Sequence, residues 1–152
     1  MKNFDEYFMS VAIEEAKMAF SEDEIPVGCV LVCNNEIIAR GHNYRKHDNL
    51  VISHAEINAI LQANRKLQNY ILSDCVLYVT LEPCSMCIGA IQQAHIKRVV
   101  YGARDEKAGA LGGLYDFFLT PRLNFYPFIT SGVLEKECAA ILKEYFKQKR
   151  LK

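Results

Sequence analysis

Two short clusters, His54-Ala55-Glu56 and Pro83-Cys84-Ser85-Met86-Cys87, constrain this chain more than any other feature. Cys84 and Cys87 are three residues apart, a spacing that puts two side chains on one face of a helix. Whatever fold forms must therefore bring a histidine and two thiols from separate segments to one point. A donor set of His54, Cys84 and Cys87 suits a tetrahedral zinc ion whose fourth position stays open to water, as in catalytic rather than structural sites. Glu56 adds a carboxylate beside that open position.

The pairing of His54 with Glu56 sets a geometric condition. Residues two apart on a regular helix point to nearly opposite sides. Both can face one site only if His54 sits just outside the helix and Glu56 falls in its first turn. A competing reading uses the same residues: Ser53-His54-Ala55-Glu56 matches the S-x-x-E capping box, in which Glu56 would only hold the Ser53 backbone N–H. The two thiols have a bland alternative too, as buried cysteines in an apolar helix. Pro83 is expected at the helix start, where its missing N–H costs nothing, and free N–H groups there favour thiolates.

The chain has 152 residues, enough for one domain spanning 1–152 with a substantial core. Its formal net charge is zero, which removes the simplest case for nucleic-acid binding, a strongly basic balance, though not a local basic patch. No apolar run approaches the ~20 residues needed to span a membrane, and Met1-Lys2-Asn3-Phe4-Asp5-Glu6 lacks the apolar stretch of a secretory signal. A cytoplasmic location is the expectation. There it is also expected that the six cysteines stay reduced. Cys29 and Cys33 lie on one predicted strand, where four residues span ~13 Å, too far for one zinc. Together with Cys75 and Cys138 they are read as core residues.

Apolar residues from Phe4 to Phe20 recur at helical spacing. Strands are predicted over Val27–Cys33 and Glu36–Gly41, joined at Asn34-Asn35, a pair that tolerates positive φ in a tight hairpin. A polar loop over His42–Ser53 precedes a helix over His54–Leu67. Then come a strand over Cys75–Thr80, a helix over Cys84–Ala94, a strand over Arg98–Gly102, a glycine-containing loop, a short helix over Leu114–Leu119, a strand over Phe128–Thr130 and a helix over Leu134–Arg150. Strands alternating with helices imply a mostly parallel sheet covered on both faces, with an antiparallel hairpin.

H-x-E followed by P-C-x-x-C is a known signature of the zinc nucleobase deaminases. The chain resembles, from about Ser10 to Arg150, the bacterial tRNA-specific adenosine deaminases, which convert the wobble adenosine of an arginine tRNA to inosine. The resemblance is carried by Ile25-Pro26-Val27-Gly28, by Asn43 in Gly41-His42-Asn43, by the two clusters, by Tyr101-Gly102-Ala103-Arg104-Asp105 and by Glu137-Cys138-Ala139-Ala140. It implies an α/β, three-layer αβα cytidine deaminase-like fold with a five-stranded mixed sheet. It also implies one zinc per chain on His54, Cys84 and Cys87, a homodimer, and a tRNA anticodon stem-loop as partner. By the same resemblance Asn43 would hydrogen-bond the flipped base, Val27 would pack on its face, and Asp105 would contact the nearby backbone or ribose. Zinc lowers the pKa of water toward ~7. Glu56 would take the water's proton and pass it to the ring and then to departing ammonia.

The C-terminal helix offers Tyr145 and Phe146 among Lys147, Lys149, Arg150 and Lys152, aromatic and basic groups that can stack unpaired bases and contact phosphates. The same pattern also describes an ordinary helix with a basic end. Lys97, Arg98, Arg104 and Lys107 would extend a basic strip. The loop Asp48–Ser53 is about two residues longer than the short run expected from the resemblance. Two further readings share the motif: a small-molecule guanine or cytosine deaminase of the same fold, and a zinc-stabilised module that binds RNA without turnover.

Overall fold

The computed structural model describes residues 3–151. Met1 and Lys2 of the N-terminal segment and Lys152 of the expected basic helix end lie outside the described residues. The chain runs α1 (Phe4–Ser21), β1 (Gly28–Cys33), β2 (Glu36–His42), α2 (Arg45–Asp48), α3 (Ala55–Leu67), β3 (Cys75–Leu81), α4 (Ser85–Ala94), β4 (Arg98–Ala103), a 3-10 turn over Phe117–Leu119, β5 (Phe128–Thr130) and α5 (Glu135–Arg150). Asn34 and Asn35 both take positive φ in the β1–β2 turn, as their residue types predict.

The five strands form one sheet in the order β2-β1-β3-β4-β5. β1 is antiparallel to both β2 and β3, while β3–β4 and β4–β5 are parallel. The sheet is thus mixed, and less parallel than the alternation of elements implies, because the hairpin strand β1 inserts between β2 and β3. Alternate residues of each strand face opposite layers. Cys29, Leu31, Leu77, Val79 and Val99 pack with Ala59, Ile60, Ile88 and Ile91 of α3 and α4. Val30, Val32, Tyr78 and Val100 pack with Phe8, Met9, Ala12 and Cys138 of α1 and α5. Cys29, Cys75 and Cys138 are buried, Cys33 is half-buried, and all four are free thiols.

Gly41 brings α3 close to the sheet. A Cβ there would meet the Ala55 carbonyl at 2.5 Å and the Ala59 nitrogen at 2.7 Å. Only glycine lets the first turn of α3, which carries Glu56, lie against β2.

The strand order sets where the site lies. β2, β3 and β4 run the same way, so their C-terminal ends share one edge with the start of β1. Val27, Asn43, His54, Cys84 and Asp105 all follow or precede a strand at that edge, the usual place for ligands in open α/β sheets. The short helix α2 occupies part of the segment expected to be loop, and the expected helix over Leu114–Leu119 is only the 3-10 turn at its end. No described helix is long and apolar enough to cross a membrane.

Candidate metal centre and substrate cavity

α3 begins at Ala55, and His54 is its N-cap with extended backbone, φ −85° and ψ 155°. Glu56 falls in the first turn, so the phase that the sequence requires is the phase observed. The capping box does not form. The Ser53 N–H donates to the Leu50 carbonyl, and the Ser53 hydroxyl donates to Asp48 Oδ2 at 2.7 Å. Glu56 is therefore free of a capping duty and is buried at 4% exposure.

Cys84 is the N-cap of α4 and Cys87 lies in its first turn. The helix starts one residue later than expected, so Pro83 precedes the cap; its carbonyl accepts the Ala110 N–H at 2.9 Å. Two helix N-termini thus meet, each presenting a cap residue and a first-turn residue.

His54 Nδ1 lies 3.7 Å from the Cys84 sulfur and 3.5 Å from the Cys87 sulfur. A tetrahedral zinc, with bonds of ~2.0–2.1 Å to nitrogen and ~2.3 Å to sulfur, spaces such donors about 3.6 Å apart. The residues present therefore fit zinc in both type and spacing. They are the single group of this kind among the described residues. The Cys87 thiol, with His54 adding to it, pulls Cys84 down to about 3; the Cys84 sulfur and burial push Cys87 up. Cys84 in turn raises His54. Burial pushes the Glu56 carboxyl up to about 7, against the pull of His54.

These groups line a cavity of about 220 Å³, shared with Ile25, Val27, Asn43, Arg45, Glu82 and Asp105. The Asn43 N–H donates to the Val27 carbonyl at 3.1 Å, which sets the two side by side. Asn43 is buried, and no hydrogen bond among the described residues occupies its side-chain amide. Asp105 is half-buried, and its Oδ1 accepts the Lys107 and Ala108 N–H groups at 3.0 and 3.2 Å. Its carboxylate thus already shapes its own loop.

A groove of about 710 Å³ adjoins the cavity, sharing Ile25, Asn43 and Arg45 with it, and reaches Leu50, Tyr145 and Phe146. Tyr145 is buried, its ring edge-on to Phe20 and its hydroxyl donating to the Asp23 carbonyl at 3.3 Å, so it offers a wall rather than a free stacking face. Phe146 is 43% exposed. The expected basic strip does not form. Lys97 and Arg98 sit at the start of β4, Arg104 and Lys107 beyond its other end, and Arg98 is held by Asp5 at 2.7 Å.

Two buried carboxylates that sequence reasoning missed hold this edge together. Glu82, 2% exposed, accepts the N–H groups of Asp105, Leu111 and Gly113 at 3.0, 2.8 and 2.9 Å. A Cβ on Gly109 or Gly113 would meet that carboxylate within 2.3 and 2.6 Å, which explains the glycines of this loop. Glu24, 1% exposed, accepts the Lys46 and His47 N–H groups at 3.2 and 2.9 Å. It therefore caps α2, whose own N-cap Tyr44 supplies no side-chain bond. The only local signal for either residue is an acid beside a proline-containing turn.

Residues 2–103 match the family model for the cytidine and deoxycytidylate deaminase zinc-binding region. The chain is 45% identical over 144 residues to a tRNA-specific adenosine deaminase of Streptococcus pyogenes serotype M1, covering 95% of this chain and 84% of that one. It is 45% identical over 148 residues to the protein of that name from Bacillus subtilis strain 168, covering 97% of this chain and 92% of the other. Among solved structures it is similar to one from work on A-to-I editing by tRNA:A34 deaminases at the wobble position of transfer RNA. There the TM-score is 0.85 at 43% identity, covering 90% of this chain and 99% of that one.

Proposed function

The chain belongs to the cytidine and deoxycytidylate deaminase family of zinc-binding proteins and, within it, to the tRNA-specific adenosine deaminases; from that premise we propose that it hydrolytically deaminates adenosine to inosine at the wobble position of an arginine tRNA. The observation that carries this reading is the meeting of one buried carboxylate, Glu56, with a His/Cys/Cys donor set in a cavity of about 220 Å³.

His54, Cys84 and Cys87 would hold one zinc ion per chain. When bound, zinc is a Lewis acid that brings the pKa of water toward ~7. Glu56 accepts the proton of the attacking water and delivers it to ring nitrogen N1 as the C6–O bond forms. It then carries the hydroxyl proton to the exocyclic amine, and the C6–N bond breaks with neutral ammonia leaving. One adenosine and one water give one inosine and one ammonia. A single carboxyl suffices because the two transfers occur in sequence.

Asn43 would donate to and accept from the base edge, while Val27 packs against its face. Asp105 would meet the ribose or backbone through the carboxylate capacity its own turn leaves open. Phe146 would stack an unpaired base of the anticodon stem-loop, with Tyr145 as the wall behind it. A homodimer is part of the same reading, on likeness alone.

The test offers the zinc-loaded protein an arginine tRNA anticodon stem-loop with adenosine at the wobble position, beside free adenosine, guanine and cytosine, with inosine and ammonia as readouts. Turnover of a free base but not of the stem-loop points to a small-molecule deaminase; stem-loop binding without turnover points to a binding module. Glu56→Ala should keep zinc and lose roughly 100- to 10,000-fold in activity. Loss of zinc from that variant would overturn the role given to Glu56.

A further inference from the structure

The cavity over the metal donors, about 220 Å³, is smaller than the ~300–1,000 Å³ that encloses a whole drug-sized ligand. It takes a flat base, but the sugar and phosphates of the same nucleotide must lie outside. The groove of about 710 Å³ adjoins it, and the two share Ile25, Asn43 and Arg45. Of these three only Arg45 carries charge.

Arg45 differs from the other cations of the groove. Lys46 and Lys149 both pair with Asp23, Lys46 at 3.3 Å, and are held on that shared carboxylate. Arg45 has no ion pair or hydrogen bond to its guanidinium among the described residues. Arg45 lines the same cavity as His54, Glu56 and Cys84, so it stands at the metal corner. Its backbone is not left to chance, because the buried Glu24 carboxylate caps the very helix that Arg45 begins. A fixed backbone carrying an unneutralised guanidinium is a prepared anion site, and its planar fork suits a phosphate.

We infer that Arg45 binds a backbone phosphate flanking the target adenosine and so orients the extruded nucleotide from the groove into the cavity. This rests on the tRNA reading above and names the residue and chemical group that link the two spaces. Arg45 is a binding residue here and takes no part in proton transfer.

The test compares wild type with Arg45→Gln, both zinc-loaded, on stem-loops in which each phosphate around the target adenosine is replaced in turn by uncharged methylphosphonate. At one position the replacement should cost wild type about tenfold in kcat/KM, the worth of one hydrogen bond to a charged group, and cost the variant little more. The salt dependence of stem-loop binding should also fall in the variant by about 0.7 in log–log slope, one single-stranded phosphate contact. Arg45→Lys, which keeps the charge without the fork, should restore the slope but only part of the coupling. Losses that multiply at every position overturn the inference while leaving the tRNA reading standing. If adenosine 5′-monophosphate competes more tightly than adenosine in an Arg45-dependent way and no stem-loop phosphate couples, the site serves a free nucleotide and the inference also falls. A wild type that never turns over the unmodified stem-loop removes both readings together.

Discussion

The candidate metal corner takes its side chains from two short stretches at helix N-termini, whereas the groove beside it gathers Arg45, Leu50, Tyr145 and Phe146 from two segments far apart in the chain. In the corner, each helix start presents a cap residue and a first-turn residue, so local chain geometry does most of the placing. In the groove, distant partners place the charged residues. Arg45 depends on Glu24 as a distant cap, and Asp23, just past the end of α1, pairs with Lys149. On the proposed function, chemistry is encoded locally and recognition by packing, and damage to the two regions should look different.

The largest effect is expected in the corner. Cys87→Ala removes one of three donors and leaves an incomplete set, so zinc content should fall to near zero and deamination with it, while stem-loop binding persists. Full zinc occupancy in that variant would break the comparison, since another group would then have to serve as the third donor.

Glu82→Ala tests the scaffold behind the corner, on the side away from the groove. It leaves three backbone N–H groups of the 103–113 loop without their acceptor. At ~1–3 kcal/mol for an unsatisfied buried donor, with water recovering part, a loss of about 3 kcal/mol is expected. Thermal unfolding should drop by roughly 6–12 °C, at about 2–4 °C per kcal/mol for a chain of this size. An unchanged Tm would mean that the loop holds itself without Glu82.

A smaller change, confined to recognition, is expected from Phe146→Ala. Losing one base–aromatic stack is worth ~1–3 kcal/mol, so KM for the stem-loop should rise about tenfold with kcat little altered. A fall in kcat with KM unchanged would move Phe146 from the groove's role to the corner's.

The smallest effect concerns pH. His42 lies between Glu15 at 3.0 Å and Glu22 at 3.1 Å, edge-on to the Tyr44 ring. The hydrogen bond to Glu15 holds its pKa above 6.5, with burial opposing. A raised folded pKa means that protonated His42 stabilises fully below about pH 6.5, and that this stabilisation disappears as pH rises through the folded value. The stability gap between wild type and His42→Gln, followed by denaturant unfolding, should therefore narrow as pH rises above 6.5. A gap independent of pH would show that charge plays no part in this clamp between α1 and β2.

Much of the corner was legible in advance. The donor types, the three-residue spacing of the cysteines and the condition on helix phase all follow from short-range geometry. The rest was not, for specific reasons. The helix α2 is four residues long and its cap is Glu24, so neither periodicity nor a neighbouring cap announces it. The insertion of β1 between β2 and β3 is a choice among strand orders, and alternation of elements does not select it. Tyr145 and Phe146 read alike as aromatics on a basic helix, yet one is packed on Phe20 and the other half open. That difference depends on which side of α5 meets α1.

The sequence by itself determined the candidate metal donors, the carboxylate beside them and the local turns that present them, because caps, spacing and helix phase act over a few residues. Only the tertiary structure decided that Val27, Asn43 and Asp105 share the edge where those donors lie, that Glu82 and Glu24 are buried braces, and that, among the described residues, Arg45 alone of the groove's cations has no ion-pair partner. Such pairings depend on strand order and on which charges burial brings together, and both are set by contacts between segments far apart in the chain.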